Sequence, residues 1–170
     1  MSRNEIPMVR QTSWFAIVPQ ILLMSLLVLI FYKFDFREPI MVSCVIYLIL
    51  SYGLKQVLAK DHAKGIQCSR RNDFTEAIKF YQKSAEFFKT NKWIDKYRSI
   101  TLLSASKITY REMALLNIAF CYAQIGNGEK SIELYKEALL EYPNSGLAIS
   151  ALKMLESAQN IESKKANVLD

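Results

Sequence analysis

Hydrophobic and polar positions divide the chain near residue 59. Trp14 to Tyr32, WFAIVPQILLMSLLVLIFY, runs for 19 positions without a charge. At about 1.5 Å per residue, a helix of that length matches the hydrocarbon thickness of a bilayer. Its apolar core is too long for a signal peptide, and no small-x-small cleavage site follows. A charged connector, KFDFRE (33–38), precedes a second uncharged run, Pro39 to Leu54. This run is slightly short for a span, so it needs Lys55 to snorkel and Val57 to Ala59 to extend it. The pattern predicts a transmembrane helical hairpin over 14–59. Pro19 is expected near the start of the first span, where its missing N–H costs little. Ser43, Tyr47 and Ser51 share one face of the second span, either as a packing seam or by chance.

From Lys60 the period changes to that of amphipathic helices. Asp73 followed by Glu76 has the form of a capping box, and Phe74 to Phe88 carries apolar residues at helical spacing. Trp93, Ile94, Tyr97, Ile100 and Leu103 recur at three- and four-residue steps, which predicts a further amphipathic helix with a break over 104–107. Thr109 and Glu112 form a second capping-box pattern, so the next helix is expected from Tyr110 to Ile125. Gly126 stops it, and Pro143 stops the helix after that. GLAISALKMLESAQ begins one more helix beyond Ser145. Residues 1–13 and 160–170 are polar and read as unstructured tails, leaving 60–159 as the folded helical part.

The unit Glu112 to Ser145 resembles a tetratricopeptide repeat in both length and spacing. Large residues fall at Leu115, Ile118, Tyr122 and Tyr135, small ones at Ala119, Ser131 and Ala138. A weaker copy starts at Leu58, with Gly65, Ala77 and Ser84 at the small positions and Tyr81 at the aromatic one. Asp61 and Lys64 stand there in place of large apolar residues, and Lys89 in place of Pro143. The two starts are further apart than one repeat, so Lys92 to Arg111 is an insertion. The expected fold class is all-α: two transmembrane helices, a short repeat domain with an inserted helix, and a carboxyl-terminal helix covering the apolar edge at Tyr135 and Leu139.

The net charge of +6 arises mostly after residue 54, where 18 Lys and Arg face 13 Asp and Glu. These charges are interleaved, and the densest basic cluster is only Arg70 and Arg71, which argues against nucleic acid as a partner. The lysine and arginine bias is strongest after the second span, so both termini are expected in the cytoplasm, with a bacterial inner membrane as the expected location. Cys44, Cys68 and Cys121 have no metal or disulfide spacing and read as reduced packing residues. The single histidine, His62, is expected to face solvent or line a groove.

No phosphate loop, nucleophile elbow or metal-ligand pair is present, so the expectation is a non-enzyme without cofactor or metal. Glu129, Glu133, Glu137 and Glu141 repeat every fourth residue and read as the solvated face of a helix. The family resemblance implies binding of a protein or peptide in a groove lined by the first helix of each pair. The matching positions are Met113, Leu116, Asn117, Phe120, Ala123 and Gln124, with His62 and Ile66 from the weaker copy. Leu116, Asn117, Phe120 and Gln124 are the candidate partner-binding residues. Equally open is that Leu116 and Phe120 pack on the insertion. Two roles are in view: a membrane-anchored adaptor, or a structural subunit of a larger membrane complex assembled through the hairpin.

Overall fold

The computed structural model describes residues 13–169, with side chains as far as Asn160. The expected amino-terminal tail lies almost wholly outside the described residues. Among them, every regular element is a helix. The chain forms two compact units, Met1–Leu58 with Trp93–Thr109, and Ala59–Lys92 with Tyr110–Asp170.

In the first unit a 3-10 turn, Trp14–Ala16, leads into helix α1, Val18–Lys33. Pro19 lies in its first turn, where no intrahelical donor is needed. At the far end Phe36 N–H reaches back to the Phe31 carbonyl and Asp35 N–H to that of Tyr32, both at 3.2 Å. Asp35 adopts φ 55° to close this turn. Helix α2, Pro39–Leu58, continues the second span through Val57 and Leu58, one residue short of the expected extension to Ala59. Both helices are long and apolar enough to cross a membrane. They pack on each other, yet α1 buries no residue and α2 buries only Ser43. Ser43 Oγ donates to the Pro39 carbonyl at 2.7 Å, which satisfies its hydroxyl, and Tyr47 and Ser51 are half-buried on the same face. Ile21, Leu22, Leu29, Leu48 and Ile49 are mostly exposed. A helix in the core of a soluble protein buries such side chains; here they stay open on the sides of α1 and α2 that do not face each other.

The insertion belongs to this first unit, and it is not one amphipathic helix. It forms α5, Lys92–Lys96, and α6, Arg98–Thr101, followed by an irregular stretch over 102–109. Two side chains hold the break. Thr101 Oγ1 donates to the carbonyls of Ile94 (2.7 Å) and Tyr97 (3.1 Å). The Arg98 guanidinium donates to the carbonyls of Asp95, Ser106 and Lys107 at 2.7–3.0 Å, gathering backbone acceptors that a continuous helix would satisfy internally. The apolar stripe also divides: Ile94, Leu102 and Leu103 are buried, whereas Trp93, Tyr97 and Ile100 are exposed.

The second unit is a stack in which α3 (Lys60–Arg70), α4 (Phe74–Thr90), α7 (Tyr110–Gln124), α8 (Gly128–Glu141) and α9 (Gly146–Leu169) pack in sequence order. Its two halves repeat the same turn. In the first, Asn72 (φ 61°) donates to the Ser69 carbonyl and Asp73 N–H to that of Cys68, both at 3.0 Å. In the second, Gly126 (φ 82°) donates to the Ala123 carbonyl at 3.1 Å and Asn127 N–H to that of Tyr122 at 2.9 Å. Both are Schellman closures with a left-handed residue, a role open to glycine and tolerated by asparagine. Each turn then caps the next helix through its side chain. Asp73 Oδ1 accepts from Glu76 N–H at 3.2 Å, and Asn127 Oδ1 accepts from Lys130 N–H at 3.1 Å.

The small positions Gly65, Ala77, Ser84, Ala119, Ser131 and Ala138 are all buried, as are Tyr81 and Tyr135. Where the weaker copy departs from the pattern, the consequence is local. Lys64 lies on α3, the terminal helix of the stack, with its Nζ 5.5 Å from the centre of the Phe80 ring. With Lys89 instead of proline, α4 continues to Thr90, whereas α8 ends at Glu141 ahead of Pro143. At the other end α9 covers Tyr135 and Leu139 with Leu147, Ala148, Ala151, Leu152 and Leu155. Its backbone stays helical to Leu169, through residues that the sequence reading assigned to a tail; no glycine or proline after Gly146 interrupts it.

Candidate partner-binding groove

Helix α7 carries the candidate residues, and its geometry separates them. Met113, Asn117, Phe120 and Gln124 recur at steps of four, three and four, which brings them onto one stripe of the helix. Met113, Asn117 and Phe120 are half-buried and Gln124 is exposed. Leu116 lies off that stripe. It is 7% exposed and packs with Ala119, Tyr135, Ala138 and Ala148, so it belongs to the core between the repeat and its covering helix.

Phe120 rests on the other cluster, formed by Ala77, Ile78, Tyr81, Ile118 and Cys121, with Ile66 and Phe74 beside it. Its ring meets Phe74 edge to face at 6.3 Å. One side of Phe120 is thus supported by α4 while the remainder stays open, the usual condition of an aromatic anchor. The polar groups on its stripe, Asn117 and Gln124, lie one turn away on either side.

His62 lines no open surface. It is 5% exposed, with its imidazole packed edge-on by Tyr81 (5.5 Å) and Tyr110 (5.3 Å) and its Nδ1 3.4 Å from Ser84 Oγ. Removal from water penalises the imidazolium and lowers the pKa to about 4, so the ring is neutral at pH 7. The expectation of a solvent-facing or groove-lining histidine therefore fails. Its aromatic neighbours recruit the ring as a core group, and Tyr110 extends that cluster by stacking on Phe88 at 5.1 Å. Burial likewise raises Tyr81 and Tyr135 to about 12 and moves the Cys121 thiol upward, leaving these groups protonated and structural.

Two features of this unit escaped the sequence reading. Arg111 closes a fork on Glu141, with contacts of 2.7, 3.0 and 2.8 Å, and its Nη1 donates to the Ala85 carbonyl at 2.8 Å. A single side chain thereby ties α4, α7 and α8 together. Its partners stand on two other helices, beyond the reach of any helical spacing rule. The Asn127 cap, by contrast, was available from residue type alone, because asparagine before a new amphipathic run is a standard helix start.

Comparison with protein families matches residues 113–145 to the tetratricopeptide repeat. This is the unit whose spacing carries the resemblance. Neither the curated proteins nor the solved structures give a match to the chain.

Proposed function

We propose that this chain is a membrane-anchored adaptor: α1 and α2 hold it in a bilayer, and its helical repeats bind another polypeptide at the cytoplasmic surface. The observation that supports this reading most is the pairing, in one chain, of a tetratricopeptide repeat at 113–145 with two long apolar helices that bury almost no residue fully. Tetratricopeptide repeats generally mediate protein–protein contacts, and the exposed apolar side chains of the hairpin suit a lipid surrounding. In this account Phe120 is the apolar anchor, and Asn117 and Gln124 orient the bound chain. Leu116 acts indirectly by fixing α7 against α8 and α9. The excess of lysine and arginine after α2 favours the cytoplasmic side for the repeats.

Photo-crosslinking in native membranes tests the proposal. A benzophenone side chain at Asn117 should form an adduct with a protein partner, whereas one at Lys153, on the exposed part of α9, should not. Alkaline carbonate should leave the chain in the membrane pellet. Crosslinks arising only from α1 and α2, and surviving deletion of 110–170, would instead identify a subunit assembled through its hairpin. Release by carbonate would remove the anchor altogether.

A further inference from the structure

The insertion sits in the same compact unit as the apolar hairpin, and a backbone hydrogen bond joins it to the start of the first span: Ser13 N–H donates to the Ala105 carbonyl at 2.8 Å. Helix α6 packs against α1. Trp14 and Phe15, next to that hydrogen bond, are 83% and 90% exposed. On the insertion itself, Trp93, Tyr97 and Ile100 fall at steps of four and three and are 60%, 52% and 59% exposed. The opposite side supplies Ile94, Leu102 and Leu103, which are buried. Large apolar groups are thus spent on both sides of a segment that has only one protein-facing side.

We infer that residues 93–101 are an interfacial element, lying in the headgroup layer beside the amino-terminal end of α1 with Trp93, Tyr97 and Ile100 facing lipid. This rests on the reading of α1 and α2 as membrane helices and adds a third point of contact that a hairpin alone does not provide. Three observations favour lipid over a protein partner. The stripe belongs to the same compact unit as the two candidate spans, and α6 packs against α1. Tryptophan and tyrosine are the residues that partition to the boundary between acyl chains and headgroups. The exposed charges bordering the stripe, Lys92, Lys96 and Lys107, are all positive, because the one acid of the segment, Asp95, is buried. Such a surface suits a layer of anionic headgroups.

The arrangement gives the insertion a reason to interrupt the repeats. The chain passes between the two units after Leu58, after Lys92 and after Thr109. The repeats are therefore joined to the membrane unit by three crossings of the backbone instead of one.

Because the chain has only two tryptophans, each is a separable reporter. The full chain would be reconstituted in vesicles of phosphatidylcholine and phosphatidylglycerol whose acyl chains are brominated just beneath the headgroup. In Trp14→Phe, emission from Trp93 should lose most of its intensity to these lipids, lose little to lipids brominated near the chain ends, and resist aqueous iodide. In Trp93→Phe, Trp14 reports on the hairpin independently. Trp93 quenched by iodide and untouched by bromine, with Trp14 quenched by bromine, overturns the inference and leaves the anchor standing. Trp93 shielded from both quenchers means a protein covers the stripe, which also overturns it. Loss of bromine quenching at both positions removes the membrane reading and the inference together.

Discussion

Gly65→Ala isolates the packing of α3 against α4. A methyl group at residue 65 would lie 2.7 Å from both Cδ1 and Cε1 of Tyr81 and 3.0 Å from Cζ. Comfortable carbon–carbon separation is about 3.5–4.0 Å, so the ring must withdraw by roughly 1 Å. It has little freedom to do so. Tyr81 is 2% exposed, its hydroxyl lies 3.2 Å from Ser69 Oγ, and His62 packs edge-on against the ring at 5.5 Å. Overpacking of this kind costs about 1–3 kcal/mol, and the confinement of Tyr81 puts the site at the upper end. Against it stands the gain of about 1 kcal/mol from replacing glycine by alanine within a helix. The net expectation is a loss of about 1–2 kcal/mol, which for a unit of this size lowers the melting point by roughly 5–15 °C. Five of the nine tyrosines but neither tryptophan lie in the repeat unit, so loss of the tyrosine band of the near-ultraviolet circular dichroism ahead of the tryptophan band, measured on the full chain in mild detergent, follows the repeats. Gly128→Ala is the control: no atom lies within 4 Å of the added methyl, and the change should stay within about 0.5 kcal/mol. Adding Tyr81→Leu to Gly65→Ala should cost less than the sum of the two separate changes, because they relieve one contact. A Gly65→Ala protein that melts at or above the wild-type temperature would refute the account, since helix propensity would then be the only effect left.

Four other outcomes follow from the same unit. His62 has a folded pKa of about 4 against about 6.5 when unfolded, so its contribution is complete above pH 6.5 and is lost as pH falls toward 4; the total is about 3 kcal/mol, and urea titrations of His62→Gln should lack that part of the pH slope. Arg111→Lys cannot reproduce the fork on Glu141 together with the bond to Ala85, and should cost about 1–2 kcal/mol by denaturant titration, moderated by the partly open Glu141 carboxylate. Ser131 Oγ is buried without a hydrogen-bond partner, so Ser131→Ala should raise stability by about 1 kcal/mol; a loss would show that the hydroxyl is satisfied in solution. Ala138→Leu, at a site 1% exposed, should cost about 1–3 kcal/mol, and an unchanged melting point would mean that the helices are not in this register.

Much of this architecture was legible because its signals are local. The Asp73 cap, the stop at Gly126, and the small residues facing Tyr81 and Tyr135 all act within a few positions of sequence, and each appears where spacing puts it. The start of α7 at Tyr110 and the cover of Tyr135 by the last helix follow for the same reason. What spacing cannot show is which side of an apolar stripe meets protein. Trp93, Tyr97 and Ile100 have the period of a core-facing helix and are exposed. His62 has the composition of a surface position and is enclosed by rings drawn from α4 and α7. In the candidate groove, Leu116 and Phe120 looked equivalent in sequence, one helical turn apart. Tertiary packing separates them, placing one against α8 and α9 and the other beside Phe74 with part of its ring open.

The stack is short, and its ends explain what surface remains for a partner. Repeat arrays expose core at their termini unless a polar face closes them. Here α9 closes one end with apolar contacts, and α3 closes the other with Lys60, Lys64 and Gln67, all exposed. On the proposed reading, with both ends covered, a groove partner would gain its energy from Phe120 and the polar groups beside it. One anchor of this kind contributes about 2 kcal/mol, somewhat more than tenfold in affinity, which by itself supports only modest binding. Attachment to a bilayer, as proposed, would change that balance, because a partner confined to the same surface would meet the repeats at a far higher effective concentration than one in bulk solution. On the proposed reading, the hairpin and the repeats are thus complementary: the groove needs to supply selectivity, and the membrane supplies the proximity that a two-repeat groove lacks.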